Sequence, residues 1–168
     1  MRVAFQMDPI GAIDIDADST FRLAEEAQAR GHELFYYSPE SLAYEEGRVT
    51  ARGQSLEVRR VKGDHAVLGE MEAVALDSFD VVWLRQDPPF DMHYITTTHL
   101  LQRLAPGTLV VNDPFWVRNF PEKLLVLDFP ELTPPTVIAR DLATIRAFKE
   151  RHGDVILKPL YGNGGAGR

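Results

Sequence analysis

The residues best suited to chemistry lie near the end of the sequence, where a lysine precedes a glycine-rich segment. Lys158 follows the apolar run Val155–Leu157, which predicts a buried strand because two of its three residues are β-branched. Pro159 ends strand pairing because proline has no backbone N–H to donate. Four glycines follow, whose N–H groups can close around an anion without obstruction by side chains: Gly162, Gly164, Gly165 and Gly167. The pattern indicates a phosphate-binding lysine and loop.

The same glycines allow three alternative interpretations, of which the sequence argues against the first two. They satisfy G-x-G-x-x-G, but a dinucleotide fingerprint follows the first strand of a domain and opens a helix, and this motif does neither. A Walker P-loop requires its lysine after the glycines, whereas Lys158 precedes them. A glycine-rich linker beside a surface lysine is the third interpretation, and the motif alone leaves it open.

Asp8 and Arg85 are candidates for a second site. Asp8 follows the first predicted strand, and Arg85 ends the buried run Val81–Leu84. In a parallel α/β sheet the carboxyl ends of the strands face the crevice that binds ligands, so we expect both side chains there. Arg85 either recognises an anion or forms an ordinary ion pair with Asp87 or Asp91.

Other charged residues have competing interpretations. Lys123 falls in the first turn of a helix predicted over 120–127, where an ammonium opposes the helix dipole, so it is either tolerated surface charge or positioned to meet an anion. Four aspartates surround the loop after the first strand: Asp8, Asp14, Asp16 and Asp18. Their spacing matches no calcium loop, which favours capping and solvation over metal binding.

The elements that position these residues alternate between strands and helices. Predicted strands are Val3–Met7, His32–Tyr37, Val81–Leu84, Thr108–Asn112, Thr136–Ala139 and a last one that begins at Asp154 and ends at Pro159. Predicted helices begin near Asp18 or Ser19 and end at Gly31, run over 95–104, begin at Pro114, run over 120–127, and extend from Asp141 to Gly153. A small β excursion is predicted near 42–60 with turns at Glu46-Gly47 and Gly53-Gln54, and a weak helix over 71–75. The order predicts an α/β fold with a parallel sheet over 1–120, followed by a β-α-β unit over 121–168.

Composition restricts the function classes. The 168 residues carry a net charge of −7, and 18 Lys and Arg are scattered among 25 Asp and Glu, which argues against a nucleic-acid partner. No cysteine is present, so disulfides, thiolate metal sites and cysteine nucleophiles are excluded. No apolar run approaches the roughly 20 residues of a membrane span, so we expect no membrane partner and a cytoplasmic location.

Several short motifs are spread along the chain. They are Met7-Asp8-Pro9-Ile10, the Arg85-Gln86-Asp87-Pro88-Pro89-Phe90-Asp91 run, Asn112-Asp113-Pro114, Glu122-Lys123-Leu124, Leu132-Thr133-Pro134, and Ile156-Leu157-Lys158-Pro159-Leu160 with Gly162-Asn163-Gly164-Gly165. Together they resemble the bacterial glutathione synthetases of the ATP-grasp superfamily. The D-P-P-F-D and L-K-P-L-x-G-x-G-G elements are the most specific. Asp113 and Tyr161 depart from the family pattern, which frequently has lysine and aspartate there.

The resemblance implies a Rossmann-like pre-ATP-grasp domain over 1–120 and the beginning of an ATP-grasp domain over 121–168. It implies ATP-dependent joining of γ-glutamylcysteine to glycine through an acyl phosphate, with Mg²⁺ required and a homo-oligomeric assembly. The magnesium ligands of the family would lie outside these 168 residues, so the chain alone is expected to be inactive. Two alternatives stay open: an ATP-grasp ligase that adds glutamate or alanine, and a non-catalytic nucleotide-responsive α/β module.

The resemblance also implies roles for individual residues. Lys123 and Lys158 would bind the phosphates of ATP. The loop closing over those phosphates would consist of Gly162, Asn163, Gly164, Gly165, Ala166 and Gly167. Asp8 and Arg85 are the candidates for substrate binding.

Overall fold

Eight strands and four α-helices form the described part of the chain in the computed structural model, which describes residues 1–161. The strands are β1 (Arg2–Met7), β2 (Glu33–Tyr37), β3 (Leu42–Glu45), β4 (Arg48–Val58), β5 (Ala66–Leu68), β6 (Glu72–Ala75), β7 (Val81–Arg85) and β8 (Leu109–Val111). The helices are α1 (Ser19–Ala29), α2 (Met92–Leu101), α3 (Pro114–Asn119) and α4 (Leu142–His152). The predicted loop residues Gly162, Asn163, Gly164, Gly165, Ala166 and Gly167 lie outside the described residues.

The chain divides into two compact units, Met1–Asn119 and the residues from Phe120 onward. In the first unit, β2, β1, β7 and β8 lie side by side as parallel strands. The strand β4 joins this sheet antiparallel to β2 and carries β3, β5 and β6 on its own edges. The predicted α/β class with a mostly parallel sheet is confirmed. Within 1–161, no helix is long and apolar enough to cross a membrane.

Side chains of β1 alternate between two core clusters because successive residues of a strand point to opposite faces. Val3 and Phe5 pack in one cluster with Phe21 of α1. Ala4 packs in the other with Leu101 of α2. Both faces of the parallel sheet are therefore covered, which explains why β1 and β7 consist of nearly continuous apolar runs.

An aspartate side chain caps the first turn of each of the four α-helices, and in α3 it is Asp113, which accepts from the Phe115 N–H at 2.8 Å. The Asp18 Oδ1 atom accepts a hydrogen bond from the Phe21 backbone N–H at 2.7 Å, and Gly31 follows the end of α1 with φ +75°, as predicted. Asp91 accepts from the N–H groups of His93 and Tyr94, so α2 begins at Met92, earlier than the predicted Ile95. Asp141 caps α4 by accepting from the Thr144 N–H at 2.8 Å.

Two local predictions in the first unit are wrong. Gly53-Gln54 is not a turn, because β4 continues through it; a Cβ at Gly53 would lie 2.3 Å from the Tyr36 carbonyl oxygen. The glycine thus permits close approach to β2 and does not mark a reversal of the chain. The weak helix predicted over 71–75 is instead β6, which pairs antiparallel with β4 because tertiary pairing overrides a weak local preference.

Three predictions in the second unit are also wrong. The helix expected over 120–127 is a turn followed by a 3₁₀ segment, Leu125–Asp128, so the helix-dipole argument for Lys123 does not apply. The segments Thr136–Ala139 and Asp154–Leu160 are irregular in the described chain. Ile156 is 85% exposed. An apolar run becomes a buried strand only when another strand pairs with it, and no described residue does so here.

Candidate functional site

The carboxyl ends of β1 and β7 lie side by side and bring two predicted residues together. Met7 of β1 is in register with Arg85 of β7, so Asp8 emerges beside Arg85 and the turn after it. The Asp8 Oδ2 atom accepts a hydrogen bond from the Asp87 backbone N–H at 2.6 Å. Asp8 thus orders the turn that follows Arg85, at the sheet edge where parallel α/β folds bind ligands.

Arg85 reaches the first turn of α1. Its Nε donates to Thr20 Oγ1 at 3.0 Å, and its Nη2 donates to Ser19 Oγ at 2.7 Å. The ion pair with Asp87 or Asp91 considered from the sequence is not formed in the described part of the chain. Neutral hydroxyls orient the guanidinium without cancelling its charge, an arrangement that leaves it suited to an anion.

Burial and charge at this edge shift the pKa values of nearby groups. Burial raises the pKa of the Asp87 carboxyl, the carboxylates of Asp8 and Asp18 raise it further, and Arg85 opposes them. Burial likewise raises the pKa of the Tyr94 phenol. The edge therefore combines a positioned cation with several acidic groups in partly desolvated surroundings.

A buried polar chain beneath the edge was not predicted from the sequence. Tyr37 OH donates to Gln6 Oε1 at 3.2 Å, and Gln6 Nε2 donates to Gln86 Oε1 at 3.2 Å. Gln6 is fully buried within the otherwise apolar run Val3–Met7. A lone amide in such a strand is the only sequence signal for this network, since a buried polar group requires a partner.

An open groove of about 730 Å³ borders Arg85. Its lining includes the residues from Ile15 to Ser19 with Arg22, Leu23, Glu26 and Arg60. Asp18 caps α1, Asp14 accepts from the Asp16 N–H, and Asp16 lies 3.5 Å from Lys62 Nζ. Asp18 thus acts as a helix cap, as the sequence favours, whereas Asp14 and Asp16 lie in ion-pair range of Lys62 where solvation was expected. Across residues 1–161, no three His, Asp or Glu side chains gather as metal ligands.

In the second unit, Lys123 lies beside the segment that carries Lys158. Its Nζ donates to the Pro159 carbonyl oxygen at 2.7 Å and to the Leu160 carbonyl oxygen at 3.4 Å. Lys158 is exposed. The structure thus places the Lys123 ammonium against the backbone that directly follows Lys158, although 35 positions separate the two lysines in the numbering (158 − 123). Their role with ATP stays a prediction.

Comparison with protein families gives two matches in chain order. Residues 1–118 match the prokaryotic glutathione synthetase N-terminal domain, and residues 122–168 match the prokaryotic glutathione synthetase ATP-grasp domain. The chain belongs to the prokaryotic glutathione synthetase family. This confirms the resemblance inferred from the short motifs of the sequence.

Curated relatives agree with the family match. The chain is 58% identical to glutathione synthetase of Brucella melitensis over 99% of its own length and 54% of that relative. The corresponding values are 56%, 98% and 52% for Agrobacterium fabrum, and 42%, 99% and 52% for Vibrio cholerae. The chain therefore spans about half the length of the curated relatives it matches.

Proposed function

We propose that the protein joins γ-glutamylcysteine to glycine at the expense of ATP. The dipeptide's cysteinyl carboxylate attacks the γ-phosphoryl group of ATP, which gives an acyl phosphate and ADP. The glycine amine then attacks the acyl carbon and phosphate leaves, which gives glutathione. The observation that carries the proposal is the match of both family domains in order along 1–118 and 122–168.

Lys123 and Lys158 would hold the phosphates of ATP together with the loop Gly162, Asn163, Gly164, Gly165, Ala166 and Gly167. The support is the position of the Lys123 ammonium, which lies at the carbonyls that follow Lys158. An ammonium facing a phosphate oxygen contributes about 1.5–3 kcal/mol as a charged hydrogen bond. Holding ATP in line with a carboxylate supplies much of the rate gain in phosphoryl transfer.

Arg85 and Asp8 would bind the dipeptide. A guanidinium oriented by Ser19 and Thr20 fits a carboxylate of γ-glutamylcysteine, because its parallel N–H groups match two carboxylate oxygens. Asp8 would act by fixing the turn at Asp87 beside that guanidinium. Each proposed domain would thus bind a different substrate: residues 1–120 would bind the dipeptide, and residues 121–168 would bind ATP.

Other features of the proposal rest on the family alone. Mg²⁺ bound with ATP would neutralise phosphate charge, and the residues described in 1–161 contribute no cluster of three ligands to it. A cytoplasmic location and a homo-oligomeric assembly belong to the same proposal.

Lys158 provides the direct test of the ATP site. Lys158→Ala and Lys158→Met, made in the whole protein, are expected to raise the KM for ATP or lower turnover by about one to two orders of magnitude. The Met variant keeps the apolar stem, so an equal loss in both would identify the charge as the cause. Lys149→Ala, an exposed lysine of α4, is the control. A response to ATP no larger than that of the control would remove Lys158 from the site.

A further inference from the structure

Tyr37 and Gln6 form a polar pair inside the core of the first unit. Tyr37 is 1% exposed and Gln6 is 0% exposed. Burial raises the pKa of the Tyr37 phenol, so its hydroxyl keeps its proton and requires an acceptor. Among the residues described, the acceptor is Gln6 Oε1, at 3.2 Å. The amide of Gln6 is therefore held with its oxygen toward Tyr37.

This orientation determines what Gln6 offers to Gln86. With its oxygen engaged, Gln6 presents Nε2 on the other side and donates to Gln86 Oε1 at 3.2 Å. The reversed orientation would place the amide nitrogen against the hydroxyl and leave the buried Tyr37 proton without an acceptor. The reversed amide orientation is therefore disfavoured, because an unsatisfied buried donor carries its full desolvation cost.

Gln86 consequently has its oxygen engaged and its amide nitrogen available. It is half-buried and lies directly after Arg85, at the carboxyl end of β7. Within residues 1–161, the structure gives its Nε2 no hydrogen-bond partner, and this atom is not fully buried. The nitrogen therefore remains accessible at the carboxyl end of β7, one residue beyond Arg85 in the chain.

We propose that Gln86 is a substrate-binding residue whose amide N–H, oriented by Tyr37 through Gln6, donates to an oxygen of the dipeptide substrate. This inference rests on the proposed function and assigns one further contact of the same site. A carboxylate or amide oxygen of γ-glutamylcysteine accepts such a hydrogen bond. Tyr37 and Gln6 are positioning residues: they make the outward group a donor and prevent it from presenting an oxygen, which would repel a carboxylate.

Two substitutions at Gln86 distinguish the loss of a hydrogen-bond donor from a change in packing. Gln86→Leu removes the amide. Gln86→Glu keeps an oxygen for Gln6 Nε2 and replaces the outward donor with a negatively charged acceptor. We expect the KM for γ-glutamylcysteine to rise about tenfold in the Leu variant and further in the Glu variant, while the KM for ATP stays within about twofold. Gln102→Glu, an exposed change that adds the same charge in the same unit, is the matched control.

Tyr37→Phe tests whether the Tyr37 hydroxyl fixes the orientation of the Gln6 and Gln86 amides. It removes only the hydroxyl that fixes Gln6, so the two amides lose their set polarity. We expect a rise of about two- to fivefold in the KM for the dipeptide, with the KM for ATP unchanged. A purely structural role would lower Tm and affect both substrates alike.

The outcomes distinguish this inference from the function it rests on. If the wild type forms ADP with γ-glutamylcysteine and glycine but both Gln86 variants keep the wild-type KM for the dipeptide, the inference alone is overturned. A parallel rise in both KM values also overturns it, because the effect then lacks the specificity of a substrate contact. If the wild type neither binds the dipeptide by calorimetry nor forms ADP, the proposed function fails and this inference fails with it.

Discussion

Glu25 on α1 shows how one residue couples charge to folding. Arg60 donates two hydrogen bonds to it, at 3.0 and 2.6 Å, and Arg22 donates another at 2.7 Å. The hydrogen bond from Arg60 is the largest influence and, despite the opposing effect of burial, the pKa of Glu25 lies below its ordinary value of 4.5. A depressed pKa in the folded state means that this carboxylate stabilises the fold above the unfolded-state pKa, and that the contribution is lost as pH falls through the folded-state pKa.

Glu25→Gln is therefore expected to lower the free energy of unfolding at pH 7, and the difference from wild type should shrink as pH falls below 4.5. Urea unfolding at pH 7, 5 and 3.5 measures this. Glu26→Gln, the same substitution on the same helix in an exposed pair with Arg30, is the control and should change stability little. A Glu25 effect independent of pH would show that packing, and not charge, is responsible.

Single residues were predictable from the sequence where their chemistry is local. A few neighbouring residues suffice to notice the charge of Lys158 beside the glycines and the charge of Arg85 at a strand end. The chain through Gln6 was not predictable, because its partners lie 31 and 80 positions away and only the folded sheet brings them together. The hydroxyl partners of Arg85 were missed for the same reason, since β7 and α1 are far apart in sequence.

Among the elements, β4 depends on a glycine in its middle. A Cβ at Gly53 would lie 2.3 Å from the Tyr36 carbonyl oxygen and 2.6 Å from Phe35 Cε1, and neither the backbone nor the packed ring can move easily. We expect Gly53→Ala to lower the free energy of unfolding by about 1–3 kcal/mol, as overpacking does. Chemical denaturation measures it, with Gly11→Ala as control because no atom lies within 4 Å of a Cβ there. Equal stability of the two variants would contradict the close approach of β4 to β2.

Elements were predicted well where their burial follows from local pattern. The parallel strands β1 and β7 are short apolar runs, and α1 has both an aspartate cap and a closing glycine. Prediction failed where pairing with distant residues decides the structure. The run Asp154–Leu160 has the composition of a buried strand but pairs with none of the described residues, while β6 pairs with β4 despite a weak helical preference.

At the scale of the whole molecule, the family was predictable because its motifs are distributed along both units. Asp8 and Arg85 belong to motifs of the first unit, and Lys123 and Lys158 to motifs of the second. Each motif is short, but their order along the chain is specific. The family matches over 1–118 and 122–168 confirm that inference, whereas the roles of the individual residues await experiment.

Oxygen-isotope transfer tests whether the proposed ligation proceeds through an acyl phosphate. The whole protein is incubated with ATP, glycine and γ-glutamylcysteine labelled with ¹⁸O in its cysteinyl carboxylate. We expect glutathione and ADP in equal amounts, with one ¹⁸O atom from each carboxylate appearing in the released phosphate. Phosphate without the label would contradict the acyl phosphate, turnover with glutamate or alanine in place of glycine would indicate a different ATP-grasp ligase, and absence of ADP would contradict the ligase assignment itself.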